Sequence, residues 1–80
     1  MKIIDIRNSI KYNEGHIPNS VNIYSYDLLF DPKKYLKTNE KYLIYCQSGI
    51  TSKVVVNKLN KMGYNVINLD GGYNNYLLRN

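Results

Sequence analysis

One cysteine, two arginines and no long apolar run set the first limits on what this 80-residue chain can be. A lone cysteine, Cys46, excludes an internal disulfide framework, a paired-cysteine redox motif and a Cys-rich zinc site. In a reducing compartment a single thiol is either an inert buried residue or a reactive one, and its surroundings decide which. No apolar stretch approaches the ~20 residues that cross a bilayer. The amino terminus offers one lysine and then only Ile3-Ile4 before Asp5, which is not a signal-peptide pattern. The expected compartment is therefore the cytoplasm, with no membrane partner. Arginine is confined to Arg7 and Arg79, and although the formal charge is +5 the lysines are scattered. No basic helix face emerges, so no nucleic-acid partner is expected. Nothing in the pattern calls for a metal or a cofactor.

What is present suits a folded domain. The chain is 44% hydrophobic and 21% charged, ordinary values for a globular protein. We expect one domain over residues 1–80, with a thin core that buries roughly 60–65% of the unfolded surface. Nine tyrosines are spread over every segment and are expected at the rim of that core with wet hydroxyls. Three continuous apolar runs, 3–6, 42–45 and 66–69, read as strands buried on both faces of a parallel sheet, and Val21-Asn22-Ile23 is a weaker fourth. Between the last two strong runs the spacing predicts a helix over 51–62. Thr51 or Ser52 would be its N-cap, Val55, Leu59 and Met62 its apolar face, and Gly63 its stop. A shorter helix is expected around 26–36, begun or broken by Pro32, and a last one after Gly71-Gly72. The fold class is α/β, a small parallel sheet flanked by helices.

Cys46 falls at the carboxyl end of a predicted strand, where ligands bind in such folds. Gln47-Ser48-Gly49-Ile50-Thr51-Ser52 follows it and opens the helix. Successive backbone N–H groups in a tight loop can form an anion-binding nest, and the positive end of the helix adds to it. Gly49 permits the inward turn. Thiols in such places have pKa values lowered from ~8.5 into a range of about 3.5–7.5, so Cys46 is a candidate nucleophile that needs no histidine base. Taken alone, Cys46 reads more readily as a small buried hydrophobe closing a core strand. The glycine three residues on and the hydroxyls opening a helix favour the reactive reading.

The stretch 46–52 resembles the active-site loop of rhodanese domains, in which a catalytic cysteine begins a six-residue loop, Cys46 to Thr51 here. Asp5-Ile6-Arg7, Tyr12 and Gly15-His16-Ile17-Pro18 are similar to that family's first block, and Gly63-Tyr64-Asn65-Val66 and Leu69-Asp70-Gly71-Gly72 to its closing segments. The resemblance implies a rhodanese-like fold and a sulfurtransferase that moves sulfane sulfur through a Cys46 persulfide. Gln47, Ser48, Gly49, Ile50 and Thr51 would form the persulfide-binding loop. The donor would be thiosulfate or a protein persulfide, and the acceptor a thiol or cyanide. Arg7 and Lys53 are possible substrate contacts. Thr51 stands where many members carry arginine. The chain also begins where the family has its second strand, so the usual first strand and helix are expected to be absent, with a homodimer contact as one possible replacement. His16 is expected to pin a loop rather than act as a base, and Asp5 and Arg7 to hold neighbouring loops together. A Cys-loop phosphatase would need a longer loop closed by arginine, and Ser52 stands at that place. The alternative to catalysis is a rhodanese-like interaction module or a truncated descendant.

Overall fold

The computed structural model describes residues 1–79. Four strands, β1 (Lys2–Asp5), β2 (Val21–Asn22), β3 (Lys41–Tyr45) and β4 (Asn65–Asn68), form one parallel sheet in the order β2-β1-β3-β4. The apolar runs set the register: Ile4 lies beside Ile44, Tyr42 beside Val66 and Ile44 beside Asn68. The helices are α1 (Ser9–Glu14), α2 (Ser25–Phe30), α3 (Ile50–Lys61) and α4 (Gly72–Arg79), with a 3-10 turn over Pro32–Lys34. Proline thus starts the short turn after α2, and the single helix expected over 26–36 is two pieces.

Alternation decides the two faces of the sheet. Ile4, Tyr42, Ile44 and Val66 point to one face and meet Leu28 of α2 and Val55, Val56 and Leu59 of α3 in the core. Full burial of such side chains contributes roughly 1.5–3 kcal/mol each. On the other face Ile3 and Leu43 are half-buried and Ile67 is exposed, so the strands are not buried on both faces as their sequence suggested. That face is covered best at its carboxyl end, where Tyr73 of α4 stacks on Tyr45 with ring centroids 6.3 Å apart.

Three further expectations are corrected. The N-cap of α3 is Gly49 in a left-handed conformation (φ 89°) with no side-chain cap, so neither Thr51 nor Ser52 plays that part. The buried stripe of α3 is Ser52, Val55, Val56 and Leu59, and Met62 lies past the helix with 52% of its surface exposed. Tyr42 and Tyr45 are core residues rather than rim residues, and their hydroxyls are bonded to protein. Tyr45 accepts from the Ile17 N–H at 3.0 Å and shares a bond with Ser20 Oγ at 3.1 Å.

The chain leaves β1 towards β2 on one side and leaves β3 towards β4 on the other. Between the ends of β1 and β3 the connections diverge, and in open α/β sheets that switch point is where a crevice forms.

Candidate active site

Two turns build the crevice. The first follows β1 and carries Ile6, Arg7 and Asn8; the second follows β3 and carries Cys46, Gln47 and Ser48. With Lys11, Tyr24, Tyr26 and Thr51 they line an open cleft of about 370 Å³. A larger, more apolar hollow of about 470 Å³ lies beside Lys2, Val21 and Tyr42 at the opposite end of β1, and Cys46 is not among its lining residues.

Cys46 is the first residue past β3 and is buried. Its Sγ accepts two backbone hydrogen bonds, from Gly49 N–H at 3.2 Å and from Ser52 N–H at 3.3 Å. They converge because Gly49 turns the chain with a positive φ. A Cβ there would come within 2.7 Å of the Gly71 nitrogen, so the position has neither the conformation nor the room for a side chain. Burial pushes the Cys46 thiol up. Hydrogen bonding from Ser52 and the amides of Gly49 and Ser48 pulls it down, and the net result lies below the ordinary thiol value.

The loop is held from behind. Gly72 sits so close to Cys46 that a Cβ would fall 2.4 Å from the Cys46 carbonyl oxygen. The first turn of α4 therefore reaches the loop with its backbone: Tyr73 N–H donates to the Cys46 carbonyl at 2.9 Å, and Asn74 N–H to the Gln47 carbonyl at 3.0 Å. The Gly71-Gly72 turn expected from sequence is present, with both residues at positive φ, and it also buttresses the cysteine.

Arg7 ties the two turns together. Its Nε donates to both oxygens of Asp5 at 3.1 Å, its Nη2 to Asp5 at 2.7 Å and to the Gly15 carbonyl at 2.7 Å, and its Nη1 to Gln47 at 2.9 Å. The guanidinium also lies 4.4 Å from the centre of the Tyr73 ring. Burial works against the charge on Arg7, but Asp5 more than restores it and holds the guanidinium above its ordinary value. A buried carboxylate such as Asp5 is tolerable only with a partner of this kind.

Of the residues singled out in the sequence, Cys46, Gln47, Ser48, Thr51 and Arg7 line the cleft. Gly49 is buried beneath it, Ile50 is exposed on the first turn of α3, and Lys53 is exposed and outside the lining. His16 also lies outside the lining, stacked on Tyr12 at 3.8 Å and bonded to the Tyr12 carbonyl. Sequence reasoning missed Lys11, which brings a cation to the wall of the cleft from a helix too short to show a period. It also missed the role of Ser52, whose amide reaches the sulfur. Among the described residues no group of His, Cys, Asp and Glu could hold a metal ion, and no helix is long and apolar enough to cross a membrane.

Comparison with known proteins bears on the same architecture. A family model described as a rhodanese-like domain matches residues 1–79. A Bacillus subtilis protein named "Putative sulfurtransferase YtwF" is 33% identical over 72 residues, covering 88% of this chain and 67% of its own length. The crystal structure of a rhodanese-related protein from Thermoplasma volcanium superposes with a TM-score of 0.88 at 28% identity, covering 98% of this chain and 77% of the other. A rhodanese-like domain protein from Staphylococcus aureus gives a TM-score of 0.79 at 34% identity, over 89% of this chain and 69% of the other.

Proposed function

The chain belongs to the rhodanese-like family, and from that premise we propose that it is a cytoplasmic sulfurtransferase that carries sulfane sulfur as a persulfide on Cys46. One observation carries the reading most directly: two backbone amides, from Gly49 and Ser52, converge on a cysteine sulfur in the wall of an open cleft. Amides so placed stabilise an anion without a general base.

The Cys46 thiolate attacks the outer sulfur of thiosulfate. The new sulfur–sulfur bond forms as the old one breaks, and sulfite leaves with the bonding pair. The persulfide that remains carries one negative charge, which the loop of Gln47, Ser48, Gly49, Ile50 and Thr51, with Ser52 beyond it, accommodates. An acceptor thiolate, or cyanide, then attacks the outer sulfur and regenerates the Cys46 thiolate. A protein persulfide can replace thiosulfate as donor in the same step. Arg7 acts on this chemistry mainly by fixing Gln47 and by its field, because its nitrogens are bonded to Asp5, Gly15 and Gln47. Lys11 contributes the more accessible cation in place of a loop arginine at Thr51.

Intact-protein mass spectrometry after incubation with thiosulfate tests the reading. Wild type should gain one sulfur and lose it to a reducing thiol, and Cys46→Ser should gain none. Sulfur gained equally by Cys46→Ser would remove Cys46 from the mechanism. A folded wild type that loads from neither thiosulfate nor a protein persulfide would instead make the chain a rhodanese-like interaction module.

A further inference from the structure

Asn68 ends β4, beside Ile44 and on the sheet face that α3 covers. Its carboxamide uses both of its ends. Nδ2 donates to the Gly49 carbonyl at 3.2 Å and to Asp70 Oδ1 at 3.0 Å, while Oδ1 accepts from the buried Ser52 hydroxyl. A carbonyl and a carboxylate can only accept, so these two partners decide which end of the amide faces them. The oxygen is thereby turned towards Ser52. The two residues gripped in this way, Gly49 and Ser52, are the two whose N–H groups reach Cys46 Sγ. Apart from Cys46 itself, no other side chain among the described residues bonds to both of them in the hydrogen bonds found.

We infer that Asn68 is a positioning residue for the sulfur-carrying loop: it clamps Gly49 and Ser52 so that their amides point at one atom, and Asp70 sets the orientation of the clamp. The inference rests on the reading of Cys46 as the sulfur carrier and adds to it a device outside the loop. Helix α3, which the loop runs into, is opened by a left-handed glycine and has no side-chain cap. Its amides would otherwise be free to turn to water, and a preorganised site avoids that reorganisation. Asn68 does not line the cleft and its hydrogen bonds go to Ser52, Gly49 and Asp70, so its effect must pass through the amides.

Cys46 is the only cysteine, so the pH dependence of its alkylation by iodoacetamide reads the thiol without interference. Arg7 and Lys11 line the cleft and Asp70 bonds Asn68, and the first two are unchanged in every variant. For Asn68→Ala we expect the alkylation midpoint to move up towards the ordinary thiol value and persulfide loading from thiosulfate to slow roughly 10- to 100-fold, the cost typical of a displaced reacting group. Asn68→Asp sets oxygen against the Gly49 carbonyl and Asp70, and should be worse. Adding Asp70→Asn to it restores the net charge and one donor–acceptor pair and should recover part of both readouts; this pair also carries the test if Asn68→Ala does not fold. A folded Asn68→Ala with an unchanged or lowered midpoint, or an Asn68→Asp defect that Asp70→Asn leaves untouched, would overturn the inference. If wild type loads no sulfur the sulfurtransferase reading fails, yet the alkylation midpoints still decide the role of Asn68.

Discussion

The two turns at the carboxyl end of the sheet begin helices in opposite ways. After β1, Asn8 caps α1 with its own side chain, accepting from the Lys11 N–H at 2.9 Å. After β3, Gly49 opens α3 with no side-chain cap, and the amides of that first turn are directed to the sulfur of Cys46. A helix start that satisfies itself is finished as structure. One that leaves its N–H groups to a sulfur atom keeps a positive field available for whatever charge that atom acquires. Two turns, side by side and each following a strand, thus differ in where their amides point because of what occupies the cap.

The difference can be broken or sharpened by substitution. Gly49→Ala should have the largest effect. It places a side chain at φ 89° and drives a Cβ within 2.7 Å of the Gly71 nitrogen. Left-handed strain and displaced backbone together should cost about 2–4 kcal/mol, read as a lower denaturant midpoint. The alkylation midpoint of Cys46, which in wild type should lie below 9.0, should rise with it.

Tyr45, whose hydroxyl ties β3 to the segment between α1 and β2, should come next. Tyr45→Phe leaves the Ile17 N–H without its partner, a loss of about 1–3 kcal/mol. Burial pushes the Tyr45 hydroxyl from 10.0 up to about 12. Because the folded value is the higher one, the stability it represents is whole below pH 10 and lost as pH rises through 12. Urea midpoints measured across that window should fall for wild type, and Tyr45→Phe should flatten the part of the slope owed to this group.

The smallest effect is expected at the self-capped turn. Asn8→Ala should cost about 1 kcal/mol, while the Cys46 alkylation midpoint stays where it was. A shift of that midpoint would show that the two helix starts are coupled and that the contrast between them is too simple.

The sequence reveals one of these turns better than the other. The run Tyr42–Tyr45, the cysteine and the glycine three places on made the second turn legible, because a buried strand and a left-handed residue both leave strong marks. Helix α1 has only six residues, too few for an apolar period, and none of them is buried. Asn8 and Gly15 were its only signals. The hydroxyls of Thr51 and Ser52 looked like caps because that is their commonest use at a helix start. Here a glycine took the cap, and Ser52 turned inward to the core. Asn68 could not have been found at all: an asparagine ending a strand carries no periodicity, and its partners lie 16 and 19 positions away. The half-open face of the sheet was hidden for a related reason. Ile3, Leu43 and Ile67 match the buried apolar residues in type, and only tertiary packing tells them apart.

The backbone bonds from Tyr73 and Asn74 to Cys46 and Gln47 have a consequence for the order in which the surroundings of the thiol are assembled. Strand β3 and its loop leave the ribosome well before α4 does. Until α4 folds back, the carbonyls of Cys46 and Gln47 lack these partners, and Gly72 is not yet in place against the loop. The loop that aims the Gly49 and Ser52 amides at the sulfur is then without its support from behind. The geometry around the sulfur is complete only once α4 has docked on the loop.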